Sequence, residues 1–302
     1  MNDIIEEIKI LNVGKMEENV SLKKYTTYRA GGNARCIIYP RNVKCLADLL
    51  TFLRERRVPY KILGNGSNLL FSDKDYEGIL VRLTELNKIK FIGKRKIRVG
   101  AGYSLIKLSL LAAKKGLTGL EFAAGIPGTV GGAIYMNAGA YKSDMGYVVD
   151  SVKVLTPDGK VVTLVNKEMQ FHYRSSFLQA HPGYVCLEVL LHLKPGKKEA
   201  IEEVIRDRRN RRLESQPLEY PSAGSVFRNP PDNFAGKLIE DAGLKGMKKG
   251  GAMVSDKHAN FIVNYKDATS NDIKYLIDYC HDQVLEKYGI DMKIEQEFVN
   301  WE

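Results

Sequence analysis

Cysteine is scarce in this chain of 302 residues, which has four, and no two of them form a Cys-x-x-Cys pair. The five histidines add no spacing typical of a zinc site, so we expect no metal. Isolated cysteines are typical of proteins from reducing compartments. We interpret all four as reduced thiols of a cytoplasmic protein: Cys36, Cys45, Cys186 and Cys280.

Long hydrophobic runs are missing as well. No stretch approaches the roughly 18 apolar residues of a membrane span, and the acidic, amphipathic N-terminus is unlike an export signal. We therefore predict no membrane partner. Hydrophobic residues still make up 44% of the chain, enough for two or three domains with cores of their own. The oligomeric state stays open, and the composition is compatible with a monomer.

Positive charge is in excess, with a formal net charge of +10. A positive field attracts either nucleic acid or a small anionic substrate, so charge alone does not choose between them. The densest basic run, Arg206–Arg212, follows the helix-like segment 198–205, which spreads its arginines around a helix end. We favour a solvated helix face over a phosphate contact, and both over nucleic acid, and so predict no nucleic-acid partner.

The first part of the chain alternates between strand and helix patterns. Residues 4–24 look helical and then irregular, and a small α/β layer follows. Its predicted elements are a strand at 34–40, a helix at 43–57, and strands at 60–63 and 78–83.

From residue 89 the pattern changes to short strands with one apolar helix at 104–115, which is typical of an α+β unit. The segment Thr156-Pro157-Asp158-Gly159 lies between two β-branched runs and predicts a hairpin. The polar segment 194–198 carries proline and glycine and indicates a boundary. Beyond it we expect a basic helix, a helix near 234–242, a strand at 260–264 and an amphipathic helix at 270–288.

Glycine is concentrated between Glu121 and Ala140, a loop that holds Gly125, Gly128, Gly131 and Gly132. Glycine has no Cβ and tolerates positive φ, so the main-chain N–H groups of such a loop can approach a diphosphate closely.

A second glycine loop is Gly64–Asn68, and Tyr28–Asn33 is a third. Neither of the first two loops is followed by Gly-Lys-Ser/Thr, which argues against a P-loop. Gly64–Asn68 also lacks the third glycine of a Rossmann fingerprint. Each loop alone is compatible with an ordinary tight turn, but together they favour one large cofactor that carries phosphate.

Six motifs follow one another along nearly the whole chain: Thr26-Thr27-Tyr28-Arg29-Ala30-Gly31-Gly32, Gly64–Asn68, Gly125-Ile126-Pro127-Gly128-Thr129-Val130-Gly131-Gly132, Tyr173-Arg174-Ser175-Ser176-Phe177, Ser222-Ala223-Gly224-Ser225-Val226-Phe227-Arg228-Asn229-Pro230 and Glu295-Gln296-Glu297. In these motifs and their order the chain resembles the UDP-N-acetylenolpyruvoylglucosamine reductase family, flavoenzymes that make UDP-N-acetylmuramate for peptidoglycan.

The resemblance implies an α+β fold with a two-part FAD-binding region of the vanillyl-alcohol-oxidase (PCMH) type and a C-terminal α+β substrate domain. The expected limits are 1–83 and 84–196 for the two FAD-binding parts, 197–290 for the substrate domain, and 291–302 for a segment that returns to the active site.

The resemblance also implies an FAD-dependent oxidoreductase with NADPH as co-substrate and a UDP-sugar as substrate. The expected cofactor contacts are Tyr28, Gly64, Asn65, Gly66, Ser67, Asn68, Gly125, Ile126, Pro127, Thr129, Gly131, Gly132, Ala133, Asn137 and Gly139.

Reduction of an enolpyruvyl ether requires a hydride at one alkene carbon and a proton at the other. The resemblance implies that reduced FAD gives the hydride from N5 and that the Ser225 hydroxyl gives the proton. A serine can serve because the carbanion or enolate left by hydride addition is strongly basic. Arg174, through bidentate donation, and Glu297, as a protonated or proton-sharing partner, would stabilise the enolate-like intermediate.

Substrate contacts are expected from Tyr173, Arg228, Asn229, Lys237 and His258, with Lys257 nearby. His258 is equally compatible with a structural role, and Tyr173 with simple packing against the arginine beside it. The interval between the arginine and serine motifs is short, so the chain is expected to be of the shorter type that lacks an inserted tyrosine lid. The element that closes over the substrate stays unassigned.

Two other functions stay open on these residues. An FAD oxidase or dehydrogenase of the same fold would keep the glycine loops and reject the UDP-sugar. A non-catalytic protein could instead bind nucleic acid through Arg206–Arg212, although the sequence has no recognition motif such as aromatic-rich RNA-binding strands.

Overall fold

The computed structural model describes residues 2–301, which form two compact units. The first unit comprises residues 2–18, 35–64 and 77–209, and the second comprises 19–34, 65–76 and 210–301. The limits at 83, 196 and 290 that the sequence suggests do not coincide with these units, because two internal segments of the N-terminal part pack with the C-terminal residues.

Eight α-helices occur in residues 2–301: α1 Asn2–Leu11, α2 Val43–Glu55, α3 Leu105–Lys114, α4 Val130–Tyr135, α5 Phe177–Ala180, α6 Lys198–Ser215, α7 Ala235–Asp241 and α8 Ser270–Tyr288.

The strands of the same residues are β1 Gly14–Ser21, β2 Asn33–Pro40, β3 Tyr60–Leu63, β4 Leu69–Phe71, β5 Tyr76–Arg82, β6 Ile89–Ile92, β7 Lys96–Gly100, β8 Leu117–Thr118, β9 Gly139–Ala140, β10 Ser143–Asp144, β11 Val149–Leu155, β12 Val161–Val165, β13 Val185–His192, β14 Lys194–Pro195, β15 Lys248–Lys249, β16 Ala252–Val254, β17 Ile262–Asn264 and β18 Glu297–Val299.

The first unit is built on a five-stranded antiparallel sheet with the order β12-β11-β13-β7-β6. Strands β11 and β12 form the hairpin expected from the sequence, with Gly159 at φ +80° in the turn and Val154 opposite Val162. Val152 and Val154 point to the same face and are fully buried, as the two-residue period of a half-buried strand requires.

Helix α2 completes this layer of the first unit. It begins at its expected position because the Asn42 side chain accepts a hydrogen bond from Cys45 N–H. The helix buries one apolar face in the hydrophobic core, formed by Leu46, Leu49, Leu50 and Leu53, which recur at helical spacing.

The second unit packs helix α8 with a three-stranded antiparallel sheet, β15-β16-β17. Thr269 and Asp272 form a capping box at the start of the helix. Gly289, at φ +67°, ends the helix in the left-handed conformation. The predicted apolar face, Ile273, Leu276 and Ile277, is fully buried in the core.

Strand β1 is the longest of several strands that the sequence pattern does not predict. Strand β1 lies at the edge of a sheet with the order β1-β2-β5-β3, where an irregular chain is expected. Its residues are mostly polar, so the alternation typical of a half-buried strand is weak. Gly14 allows close pairing, since a Cβ there would lie 1.9 Å from Tyr39 O. Position in the sheet, and not local pattern, makes this segment a strand.

The basic run belongs to a helix, as expected, and α6 continues through all of Arg206–Arg212. Only Ile201 and Ile205 of this helix are buried. Across residues 2–301 no helix combines the length and apolar character needed to cross a bilayer.

Candidate active site

Two glycine loops meet in the first unit, at Gly64 after β3 and Thr129 before α4. A Cβ at Gly64 would lie 2.9 Å from Thr129 Oγ1, so glycine is needed for this approach. The same Oγ1 accepts a hydrogen bond of 3.3 Å from Gly132 N–H. Gly64 therefore lies against the Thr129 side chain, which also caps the start of α4.

The rim of the second loop presents its main chain to solvent. Pro127 and Gly132 are exposed, and Gly125 and Ile126 are half-buried. A Cβ at Gly132 would have one neighbour within 4 Å, Thr129 Oγ1 at 3.4 Å, so the space in front of this backbone is open. Accessible main chain without side chains fits a diphosphate, and FAD fits this part of the loop.

Three other residues of this loop are used in packing. Gly131 donates its N–H to Ala101 O at 2.8 Å, and a Cβ at Gly131 would lie 2.9 Å from Ala101 Cβ. At Gly139 a Cβ would lie 2.6 Å from Asp144 Cβ, in the small β9–β10 hairpin. Ala133 is 3% exposed. These residues shape the loop, and their direct contact with the cofactor stays a prediction.

Residues 65–68 of the first glycine loop belong to the second unit. Gly66 has φ +61°, and a Cβ there would lie 2.1 Å from Tyr25 O, so a larger residue is excluded on both grounds. Thr27 N–H donates to Gly66 O at 3.2 Å. Asn65 and Ser67 are half-buried and remain candidates for cofactor contact.

Tyr28 does not fit the direct cofactor contact expected from the sequence. Its side chain is 0% exposed, and its hydroxyl donates to Gln296 Oε1 at 2.9 Å. Burial raises the pKa of Tyr28 far above its usual range, so the hydroxyl keeps its proton and remains a donor. The Tyr28 ring packs in the hydrophobic core of the second unit and is not exposed to a ligand.

Asn137 also acts inside the protein. It is 2% exposed, its Nδ2 donates to His172 O at 2.8 Å, and its Oδ1 accepts from Gly146 N–H at 3.0 Å. Both polar ends of the side chain are thus occupied. Asn137 positions the turn that carries Arg174, a role that the sequence does not suggest.

Arg174 lies in the turn between His172 and Ser175, at φ +54°. This left-handed conformation is uncommon for a residue with a Cβ and is often retained at functional sites. Gln179 Nε2 donates to Arg174 O at 3.1 Å and supports the turn. The half-buried guanidinium donates from Nη2 to Gly139 O at 3.0 Å. Arg174 is thereby held at the end of the second glycine loop.

A tyrosine accompanies this arginine. The guanidinium carbon of Arg174 lies 5.1 Å from the centroid of the Tyr173 ring, which is 54% exposed. The arrangement is a cation–π contact, and it leaves most of the ring accessible for a ligand.

Ser225 follows Gly224, which has φ +76°, in the second unit. Asn260 holds the two residues after it: Val226 N–H donates to Asn260 O at 2.9 Å, Phe227 N–H donates to Asn260 Oδ1 at 2.9 Å, and Asn260 Nδ2 donates to Phe227 O at 2.8 Å. Asn260 is 4% exposed. Ser225 itself is half-buried. Because Asn260 fixes the backbone directly after it, the position of the Ser225 hydroxyl is well defined.

Glu297 is the first residue of β18, which pairs in parallel with β4. Its N–H donates to Asn68 O at 2.9 Å, and its side chain is half-buried. The preceding residue, Gln296, donates from Nε2 to Ser225 O at 3.4 Å. Ser225 and Glu297 therefore adjoin through one intervening residue, whereas Arg174 belongs to the first unit.

Arg228 has a polar atom that the protein leaves unused. Its backbone N–H donates to Lys293 O at 2.8 Å, whereas its side-chain Nε is buried and has no hydrogen-bond partner in the described protein. Buried donors are almost always paired. An orphaned cationic N–H three residues beyond Ser225 fits an anionic substrate group.

Two other predicted substrate contacts are engaged within the protein. Asn229 Oδ1 accepts a hydrogen bond of 3.1 Å from Ala235 N–H and so supports the start of α7. Lys237 pairs with Asp241 one helical turn away, on an exposed face. Neither arrangement points to a substrate, and both contacts stay predictions.

His258 is part of the support for the Ser225 segment. Its Nδ1 accepts a hydrogen bond of 3.2 Å from Asn260 N–H. Burial lowers the pKa of His258 below its usual value, so the neutral ring fits this acceptor role. The neighbouring Lys257 donates from Nζ to Leu213 O at 2.9 Å.

Three amides that support the site, Asn260, Gln296 and Gln179, are not identified from the sequence. Of the three, Gln296 is the one whose role the sequence could have indicated, because it lies between the two glutamates of the last motif. Asn260 bonds a residue 33 positions away, whereas Gln179 lies five positions beyond Arg174.

Potential metal ligands are dispersed in residues 2–301, and the thiols are unpaired. Residues 2–301 bring no three His, Cys, Asp or Glu side chains together where an ion could bind. All four cysteines are unpaired, and burial raises the pKa of the Cys36, Cys186 and Cys280 thiols to about 12.

Two family models match the chain. An FAD binding domain covers residues 34–165, and the C-terminal domain of UDP-N-acetylenolpyruvoylglucosamine reductase covers residues 216–299. The expected bound FAD is thereby confirmed.

Curated relatives match over the full length. UDP-N-acetylenolpyruvoylglucosamine reductase of Anoxybacillus flavithermus is 44% identical over 299 residues, which is 99% of each chain. The enzyme of that name from Bacillus subtilis is 42% identical over 300 residues, again 99% of each chain.

Solved structures confirm the fold. The crystal structure of UDP-N-acetylenolpyruvylglucosamine reductase from Thermus caldophilus has a TM-score of 0.82 at 36% identity and covers 94% of this chain and 100% of that one. Phl p 4.0202, a glucose dehydrogenase, has a TM-score of 0.51 at 16% identity over 65% of this chain and 44% of its own, a likeness of fold alone. The architecture is thus α+β, with an FAD-binding region of the PCMH type and a C-terminal domain. The chain is an FAD-dependent oxidoreductase that belongs to the UDP-N-acetylenolpyruvoylglucosamine reductase family.

Proposed function

We propose that this protein reduces UDP-N-acetylenolpyruvoylglucosamine to UDP-N-acetylmuramate, a precursor of peptidoglycan, with NADPH as the source of electrons. The observation that carries the proposal is the hydrogen-bonded arrangement in which Ser225 and Glu297 adjoin through Gln296. The full-length similarity to reductases of this name supports it. The proposal includes a cytoplasmic location, which the four unpaired thiols support.

The chemistry divides between cofactor and protein. Bound FAD supplies the hydride that adds to one carbon of the enolpyruvyl double bond. The Ser225 hydroxyl transfers its proton from Oγ to the other carbon. A serine is a weak acid, but the acceptor carbon is strongly basic after hydride addition, and water then reprotonates the alkoxide. Overall, one substrate, one NADPH and one proton give one product and one NADP⁺.

Two side chains act on the substrate carboxylate. Arg174 neutralises the charge that develops on the enolate and donates hydrogen bonds in a fixed direction. Glu297 shares a proton with the same carboxylate, so that it donates instead of repelling. Arg174 belongs to the first unit, and Glu297 and Ser225 belong to the second.

The substrate's negative charge is met by Arg228. Its buried, unpaired Nε is a donor for an oxygen of the UDP-sugar, and its guanidinium offsets part of the diphosphate charge. Tyr173, with its exposed ring beside Arg174, contacts the substrate next to the reacting group.

The proposal is tested with the purified holoprotein. We expect the protein to show the absorption spectrum of oxidised flavin. Addition of NADPH in the absence of oxygen should bleach this absorption. Addition of UDP-N-acetylenolpyruvoylglucosamine should then restore the oxidised spectrum, whereas UDP-N-acetylglucosamine, which lacks the enolpyruvyl group, should not. A colourless protein that cannot be reconstituted with FAD, or equal reoxidation by the two sugars, would overturn the proposal.

A further inference from the structure

Gln296 makes an unusual set of contacts with the backbone around Ser225. Its side chain is 5% exposed, and Nε2 donates to three consecutive carbonyl oxygens, those of Ala223 at 3.4 Å, Gly224 at 3.3 Å and Ser225 at 3.4 Å. The left-handed φ of +76° at Gly224 turns these carbonyls toward one point. A Cβ at Gly224 would meet no atom within 4 Å, so glycine is needed there for conformation and not for space.

Tyr28 fixes the direction of the Gln296 amide. Its hydroxyl donates to Oε1 at 2.9 Å, and the whole side chain is 0% exposed. With Oε1 committed to Tyr28, the NH₂ group of Gln296 must face the carbonyls. The Tyr28 backbone is held in turn, since Asn264 Nδ2 donates to Tyr28 O at 2.9 Å.

Asn68 holds the backbone on both sides of Gln296. Its Nδ2 donates to Glu295 O at 3.0 Å, and its carbonyl oxygen accepts from Glu297 N–H at 2.9 Å. The residues before and after Gln296 are therefore both tied to the last residue of the first glycine loop. These two bonds fix the backbone on both sides of Gln296.

We propose that Gln296 is a positioning residue of the reaction, which sets the distance between the Ser225 hydroxyl and the Glu297 carboxyl; this inference rests on the proposed function. The physical reason is that the Gln296 side chain bonds the Ser225 backbone, while its own backbone is covalently next to Glu297. A change of its donor group leaves three carbonyls without their shared partner and lets the Ser225 turn relax. Proton transfer depends steeply on such distances.

The test is Gln296→Glu, which keeps size and the acceptor for Tyr28 but loses the NH₂ donor. In single-turnover experiments on the holoprotein, NADPH should bleach the flavin at the wild-type rate. Reoxidation by UDP-N-acetylenolpyruvoylglucosamine should be roughly 10- to 100-fold slower, as expected for a misplaced reacting group.

Asn300→Asp is the matched control. Asn300 lies in the same C-terminal segment, and its Nδ2 also donates to three oxygens, Ser72 Oγ at 3.3 Å, Lys74 O at 3.4 Å and Asp75 O at 3.1 Å. None of these belongs to the Ser225 turn. Asn300→Asp should lower the urea midpoint of unfolding, as Gln296→Glu does, but leave both half-reactions at wild-type rates.

A second readout distinguishes positioning from general damage. At low pH the introduced carboxyl of Gln296→Glu becomes neutral, a state favoured by burial and by the neighbouring Glu295 and Glu297. A neutral acid can both accept from Tyr28 and donate to the carbonyls. Tyr28 bonds Gln296 directly, and His258 supports the Ser225 segment through Asn260. Wild type has both groups as well, so the comparison with wild type removes their effect. The variant's reoxidation rate relative to wild type should therefore rise as pH falls.

The outcomes separate the two proposals. If wild type is not reoxidised by the enolpyruvyl sugar, the proposed function fails. If wild type is reoxidised but Gln296→Glu matches Asn300→Asp in that step, or loses both half-reactions equally, the positioning role of Gln296 is contradicted.

Discussion

The hydroxyl of Tyr28 donates a hydrogen bond of 2.9 Å to Oε1 of Gln296, across 268 positions of sequence. Both side chains are buried, and Gln296 in turn bonds the backbone of Ser225. Tyr28, which belongs to a glycine-rich N-terminal motif, is thus connected to the proposed proton donor Ser225 through the side-chain amide of Gln296. The sequence assigns this tyrosine to cofactor contact, whereas in the structure its hydroxyl bonds the amide that lies next to Glu297 in the chain and bonds Ser225.

Tyr28→Phe removes this hydroxyl alone. We expect a loss of about 1–3 kcal/mol in the free energy of unfolding, because Gln296 Oε1 is left buried without a partner. Urea unfolding of the holoprotein measures it. Tyr265→Phe is the control, since that hydroxyl bonds Gly250 O at 3.3 Å near the surface and its removal should shift the midpoint little. Equal losses in both variants would contradict the buried bond.

Gly64→Ala should weaken FAD binding. The new Cβ would lie 2.9 Å from Thr129 Oγ1 and push the two glycine loops apart, an overpacking that typically costs about 1–3 kcal/mol. Much of this should appear as an FAD dissociation constant raised roughly tenfold, since about 1.4 kcal/mol is a factor of ten. A fluorescence titration of the apoprotein with FAD checks it.

Gly93→Ala is the comparison for that variant. Gly93 has φ +59° with open space around it, so alanine there strains the backbone without touching either loop. It should lower stability and leave FAD affinity unchanged. FAD affinity that falls equally in both variants would argue against the contact between Gly64 and Thr129.

Arg174→Lys should slow substrate reduction selectively. Lysine keeps the charge but cannot donate as a planar fork, and loss of a donor to a developing oxyanion typically costs about 10²- to 10³-fold in rate. Anaerobic reoxidation by the enolpyruvyl substrate reports this step, and reduction by NADPH should be unaffected. Arg98→Lys, at a half-buried ion pair with Glu188, should change neither half-reaction.

His258 should make stability depend on pH. Its folded pKa is lowered by burial from the ordinary 6.5, so below about pH 6.5 the unfolded chain binds a proton that the folded chain does not. The free energy of unfolding should therefore fall as pH drops from about 7.5 to 5.5, and more so in wild type than in His258→Gln. Urea unfolding at several pH values tests this, and parallel curves would remove His258 from the account.

Much of the fold follows from local pattern. Helix α8 occupies the expected residues 270–288, because a capping box, an apolar stripe and a terminal glycine all agree. The hairpin around Gly159 is found for the same reason. Strand β1 is missed because its pairing with a neighbouring strand, and not its polar sequence, decides its state.

The site is harder to derive from sequence. Residue types and motifs indicate Arg174, Ser225 and Glu297, but several amides that support the backbone near Ser225 and Glu297 come from segments far away along the chain. Asn260 supports the Ser225 turn from 33 residues downstream, and Asn68 reaches Glu295 across 227. No spacing rule predicts such pairs, because chain closure over these distances is decided by the whole fold.

The proposed proton transfer from Ser225 is tested most directly by single-turnover reoxidation of the NADPH-reduced holoprotein, in wild type and Ser225→Ala. The account predicts that Ser225→Ala accepts electrons from NADPH at the wild-type rate but passes them to UDP-N-acetylenolpyruvoylglucosamine roughly 10²- to 10⁴-fold more slowly, the usual contribution of a general acid. Reoxidation of Ser225→Ala at the wild-type rate, or an equal loss in both half-reactions, would contradict it.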